Sequence, residues 1–193
     1  GIFSAASGTG RLGIGNSGPS IAAPPVAGAV TLLRQLHPTW SAEEIKAAAM
    51  NTATPLVRIS DPLTATLYSP ARIGSGRINL ANAAQTRTLA MNAAEPGRVS
   101  ISFGAPEVSG KFFASKPLAI VNKDVVPASY LPIYYPVLDL PGATVHSEPQ
   151  RVTVEPGARA QINIVFKADS AQLQHLGDAT MSPMGFADRY WLS

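Results

Sequence analysis

The segment Ser17-Gly18-Pro19-Ser20-Ile21-Ala22-Ala23-Pro24-Pro25-Val26-Ala27-Gly28 decides how the rest of the chain is read. It sets a serine at the start of a small, apolar run that continues through Val30, Leu33 and Leu36 at helical spacing. A serine at that point has its backbone N–H and its hydroxyl at the positive end of a helix dipole, where a developing oxyanion is stabilised. The small neighbours would let a second backbone come close. Alone, a G-x-S segment is more often an N-cap serine than a nucleophile, so its surroundings must decide.

Those surroundings are almost free of charge. Residues 1 to 42 carry only Arg11 and Arg34, and Glu43 is the first acidic residue. The run from Leu12 to Leu33 is long enough to span a bilayer, but Gly13, Gly15, Asn16, Gly18, Pro19, Pro24 and Pro25 would leave backbone groups unpaired in lipid. No membrane span is expected, and burial inside a protein accounts for the missing charge. The whole chain agrees: 14% of its 193 residues are charged, below the roughly 25% of an average soluble domain, while 46% are apolar. With 16 glycines and 17 prolines, this composition describes a folded, turn-rich chain rather than a disordered one.

The absence of cysteine removes disulfides, a thiol nucleophile and thiolate metal sites. The formal charge of +3 comes from basic residues scattered singly, so no nucleic-acid surface is expected. Asp61, Asp124, Asp139, Asp169, Asp178 and Asp188 form no D-x-D-x-D-G loop, and neither a calcium site nor any cofactor is supported. Tyr134, Tyr135 and Trp191 suit sandwich core and edge positions better than a ligand platform.

Periodicity divides the chain near residues 92 to 97. The helix through Leu36 is stopped by Pro38. Ser41 and Glu44 have capping-box spacing before Ile45, Ala48, Ala49 and Thr52, which share one helical face. Arg58 to Arg72 reads as a loop, and Gly74-Ser75-Gly76 turns into a third helix around Leu80 to Leu89. Beyond Ala94-Glu95-Pro96-Gly97 the period becomes two, with Val99, Ile101 and Phe103, then Val152 and Val154, then Ile162, Ile164 and Phe166. Short strands are also expected at Leu118 to Val121, Tyr130 to Val137 and Ala143 to Ser147. Short strands between Pro/Gly turns, with no helix among them, indicate an antiparallel sandwich.

The Ser17 to Gly28 string resembles the nucleophile region of subtilisin-like serine proteases, whose pattern is S-G-T-S-M-A-A-P-H-V-A-G. The resemblance continues through HPTWSAEEIKAAAMNTATPL at residues 37 to 56 and GSGRINLANA at residues 74 to 83. It implies that Ser20 is the nucleophile and that its backbone N–H is one oxyanion-hole donor. Three positions depart from the pattern. Pro19 replaces Thr, removing a hydroxyl and an N–H. Pro25 replaces His and cannot donate to the Ile21 carbonyl, so a distorted first turn is expected. Ile21 replaces Met at similar bulk.

In that family the triad runs Asp, His, Ser along the chain. The resemblance therefore puts the base and its orienting Asp ahead of Gly1, and none of His37, His146 and His175 lies in an H-G-T-H-like context. The expectation is a fragment that hydrolyses no peptide by itself, cut from a secreted endopeptidase acting on polypeptides and lacking the N-terminal part of its catalytic domain.

The second half is similar to the fibronectin-III-like domain of large secreted subtilases, through Pro117 to Asn122, Ala143 to Val145 and Arg151 to Gly157. The expected organisation is thus an α/β subtilisin-like portion over 1–92, mostly helical in the part present, followed by an all-β fibronectin-III/Ig-like sandwich over 97–193. Arg189 to Ser193 reads as its penultimate strand, so the sandwich is expected to be cut as well. The competing reading is a non-catalytic relative, silenced at Pro19, whose sandwich is a binding or spacer module.

Overall fold

The computed structural model describes residues 1–55, 57, 73–136 and 139–173. Strands β1 (Ile2–Ala5) and β2 (Gly13–Asn16) form an antiparallel hairpin that leads into helix α1 (Pro19–Leu36). Helix α2 (Ala42–Asn51) and the short α3 (Leu80–Gln85) follow. The chain then enters β3 (Thr88–Asn92), β4 (Lys111–Asn122), β5 (Ala128–Tyr130), β6 (Ala143–Glu148), β7 (Val152–Val154) and β8 (Arg159–Asp169).

Helix α1 closes on His37, whose N–H donates to the Leu33 carbonyl; at φ −123° and ψ 69° this residue before Pro38 has left the helical region, which the proline ring disfavours there. Ala29 and Leu33 are its buried residues, while Val26 and Leu36, placed on the same face by the spacing, are exposed. Helix α2 starts with both halves of the expected capping box. The Glu44 N–H donates to Ser41 Oγ at 3.1 Å, and the Ser41 N–H donates to Glu44 Oε2 at 2.8 Å.

The third helix is shorter than expected. It ends at Gln85, because Thr86 leaves the helix and Leu89 and Met91 then alternate inward from a strand. That strand, β3, pairs antiparallel with β4, Leu89 opposite Val121 and Met91 opposite Ala119, in a sheet of order β3-β4-β8-β6.

This pairing corrects the expected fold. Among the described residues, strands β1, β2 and β3 all precede residue 93, so the first part is mixed rather than mostly helical. Nor, among the described residues, do the later strands form a separate all-β unit. Their larger sheet takes an edge strand from the first part, and one core holds Leu33, Trp40 and Ile45 together with Val99, Ala119 and Val121. Composition and period change near residue 95, but period marks which face is buried, not which neighbour buries it.

The other face of the sheet packs on the β5-β7 pair through Ile120, Val154 and Ile162. Glu155-Pro156-Gly157 does turn the chain, with Gly157 at φ 68°, but it carries the chain from β7 in one sheet to β8 in another. Val99 to Phe103 forms no strand; Val99 is buried and its carbonyl accepts from the Asn92 N–H, while Phe103 packs against Phe166 at 5.4 Å between ring centroids. The strand expected to begin at Tyr130 instead ends there, before Pro132 and Pro136. The expected loop at Arg58 to Arg72 and the expected strand at Arg189 to Ser193 lie outside the described residues.

Candidate active site

The hairpin aims the chain at the start of α1. Ile2 pairs with Asn16, and the 6–12 loop is tied by the Ala6 N–H to the Leu12 carbonyl at 2.8 Å and by Thr9 Oγ1 to the Ala6 carbonyl at 2.7 Å. Ser17 and Gly18 then make the entry. Gly18 is the N-cap residue, with φ 122° and ψ 167°, a conformation open essentially to glycine alone. Pro19 takes the first helical position, where its fixed φ fits the helix and its missing N–H would have had no helical acceptor.

Ser20 is therefore the second residue of the helix and not its cap. It is exposed, and among the described residues its hydroxyl has no hydrogen-bond partner and its backbone N–H no backbone acceptor. Ile21 and Ala22 both donate to the Gly18 carbonyl at 3.1 Å, so those two N–H groups are already used. What remains at the helix entrance is the Ser20 N–H beside the Ser20 hydroxyl, at the positive end of an 18-residue helix with no acidic residue in its first turn.

The helix continues through Pro24 and Pro25, where a distortion was expected. Those prolines cannot donate to the carbonyls of Ser20 and Ile21, but Ser20 is exposed and Ile21 half-buried, so water can solvate what the prolines leave unpaired.

No base stands beside Ser20 among the described residues. His37 caps the opposite end of α1; at a rise of about 1.5 Å per residue it is about 25 Å from Ser20. Its ring stacks on Trp40 with centroids 3.8 Å apart, and Nε2 lies 3.3 Å from the Ala84 carbonyl. His146 sits on β6 beside Glu148 at 3.1 Å, and His175 lies outside the described residues. Asn16 ends β2, in the hairpin. Among the described residues no three His, Asp or Glu side chains converge as metal ligands, and no helix is long and apolar enough to cross a membrane. Of the aspartates, Asp61, Asp178 and Asp188 lie outside the described residues, while Asp124 and Asp169 accept from N–H groups one and two residues on.

Sequence patterning missed a cluster at the far end of α1. The Arg34 guanidinium donates to the Trp40 carbonyl, Lys123 stands over the Trp40 ring at 5.5 Å, and Lys123 pairs with Glu44. Burial raises the Glu44 carboxyl pKa, but the Lys123 ammonium and the Ser41 N–H outweigh it and hold the carboxyl below its ordinary value. No local spacing could have signalled this, since Lys123 reaches Glu44 only through the β3–β4 pairing.

Proteins similar to this chain are serine peptidases. A family model described as the subtilase family matches residues 9–105, half of the chain and past the change of period near residue 95. Subtilisin-like protease SBT2.6 of Arabidopsis thaliana is 42% identical over 74 residues, covering 33% of this chain and 9% of the relative. Minor extracellular protease Vpr of Bacillus subtilis (strain 168) is 34% identical over 113 residues, covering 58% of this chain and 13% of the relative. The chain belongs to the subtilase family, and it spans a small part of the length of these curated relatives.

Proposed function

We propose that this chain is part of a secreted serine endopeptidase in which Ser20 attacks the peptide carbonyl, with the His base and its orienting Asp supplied from outside residues 1–193. The observation that carries the reading is the helix entrance itself: an exposed serine hydroxyl beside its own backbone N–H, which has no backbone acceptor among the described residues, at the dipole's positive end, inside the family-matched segment. As Ser20 Oγ bonds to the carbonyl carbon, its proton passes to the base and negative charge moves to the carbonyl oxygen. The Ser20 N–H is oriented to donate to that oxygen. Collapse breaks the C–N bond as the base protonates the leaving amine, and water then hydrolyses the acyl-enzyme.

Without a base the Ser20 hydroxyl is an ordinary alcohol, and His37, at the opposite end of α1, cannot reach it. The isolated 193-residue chain is therefore inactive in this reading, and polypeptides are substrates of the longer protein. The name of the Bacillus relative describes an extracellular protease, which supports an exported location here. Casein hydrolysis tests the reading. The full-length protein cleaves and its Ser20→Ala variant does not, while the 193-residue chain is inert. Cleavage that survives Ser20→Ala overturns the assignment, and a folded but inert full-length protein favours the non-catalytic relative.

A further inference from the structure

Among the described residues, helix α1 is held at the end far from Ser20. From Pro19 to Gly28 it buries no residue, and its buried positions, Ala29 and Leu33, come afterwards. Leu33 is fully buried in a core that also holds Ala119 and Val121 of β4. Next to it, the Arg34 guanidinium donates to the Trp40 carbonyl and fixes the helix end to the turn that follows. Ser20 lies about 20 Å from Leu33 along the axis.

What closes that far end comes from the sheet. Lys123 stands over the Trp40 ring at 5.5 Å and pairs with Glu44, so one ammonium joins the turn after α1 and the start of α2 to the end of β4. The base of this side chain is itself fixed. The Lys123 N–H donates to the Arg87 carbonyl at 2.7 Å. The adjoining Asn122, fully buried, donates from Nδ2 to the carbonyls of Val126 and Val154 at 2.8 and 3.0 Å. A shielded ammonium on so rigid a base differs from a loose surface lysine, whose ion pairs hold little in place.

We infer that Lys123 is a positioning residue for Ser20, holding α1 by its far end through Trp40 and Glu44. This rests on Ser20 as the nucleophile. A helix that pivots at Leu33 moves Ser20 by about 1 Å for a tilt of about 3°, and a misplacement of about 1 Å from a change far from the chemistry lowers a rate about 100-fold. Lys123 lies beyond the family-matched residues 9–105, so the later part of the chain contributes to the geometry of the site and is more than a spacer or binding module.

The test is the kinetics of the full-length protein on a peptide substrate, at a temperature where circular dichroism shows each variant folded. Lys123→Met is expected to lower kcat about tenfold, with KM changed by less than about twofold and fluorophosphonate labelling of Ser20 slowed in proportion. Lys123→Arg keeps a cation over Trp40 and beside Glu44, and should restore most of kcat. Ile162→Ala, in the cluster on the other face of the sheet, should keep kcat in spite of a larger loss of stability. Wild-type kcat in Lys123→Met, equal losses in Lys123→Met and Ile162→Ala, or no recovery in Lys123→Arg overturns the inference while Ser20→Ala stays inert. Activity that survives Ser20→Ala overturns the nucleophile assignment and this inference with it. If Lys123→Met does not fold, Glu44→Gln decides, because it keeps a capping-box partner for Ser41 and removes the charge that Lys123 meets. A fall in its kcat at unchanged KM supports the inference, and wild-type kcat overturns it.

Discussion

The Glu44 carboxylate, already fixed by the capping box of α2, is paired with the Lys123 ammonium just beyond the end of β4. The pair is largely shielded, with side-chain exposures of 18% and 21%, and Lys123 also covers Trp40. It ties a helix of the family-matched part to the central strand pair of the sheet. Lys123→Met should therefore cost about 1–2 kcal/mol at neutral pH, by leaving a part-buried carboxylate short of a partner.

The sign of the pH dependence follows from the direction of the Glu44 shift. Its carboxyl is raised by burial, lowered further by Lys123 and Ser41, and ends below the usual 4.5. Its contribution is complete above the unfolded value and is lost as pH falls through the lower folded one. Urea midpoints of wild type and Lys123→Met should differ most near neutrality and converge as pH drops below 4.5.

Gly18 makes a second prediction. At φ 122° and ψ 167° it occupies backbone space that a side chain strains, and a Cβ there would meet no atom within 4 Å. Gly18→Ala should thus cost about 1–3 kcal/mol through conformation alone. The entrance of α1 should loosen first, seen as faster amide exchange at Ser20 to Ala22 than in wild type.

The core shared across the change of period predicts one unfolding event. Leu33 on α1 is fully buried, and Val121 on β4 belongs to the same cluster. Leu33→Ala should cost about 2–5 kcal/mol and Val121→Ala somewhat less, and both should shift the same transition in fluorescence and circular dichroism. Leu32→Ala, at a position 53% exposed, should change it by less than about 0.5 kcal/mol. Two separate transitions would contradict a common core.

Much of this was legible in the sequence, for reasons that individual residues make plain. Ser41 and Glu44 announced their capping box because that interaction is local, and Pro38 ended α1 through its own ring. The Leu12 to Leu33 stretch, whose missing charge suits burial within a whole catalytic domain and exposure in this chain alone, does expose Leu12, Ile14, Val26 and Leu32, with Phe3 at 78% exposure beside it. Absence of charge tells that a surface suits burial, not what buries it. Thr88 and Leu89, the start of β3, were expected to end the third helix because the small residues before them favour helix, while β4, the partner that makes them strand, lies many residues away. Ser20 was found by the string around it; its freedom from capping duty became visible only with Gly18 in place as the cap.

The most direct test of the Ser20 assignment is labelling of the full-length protein with a serine-directed fluorophosphonate, beside Ser20→Ala. The wild type should take one label, on the peptide that contains Ser20, and the variant none, with the unfolding midpoint unchanged. A folded wild type that takes no label, or a label that persists in Ser20→Ala, would contradict a nucleophilic Ser20.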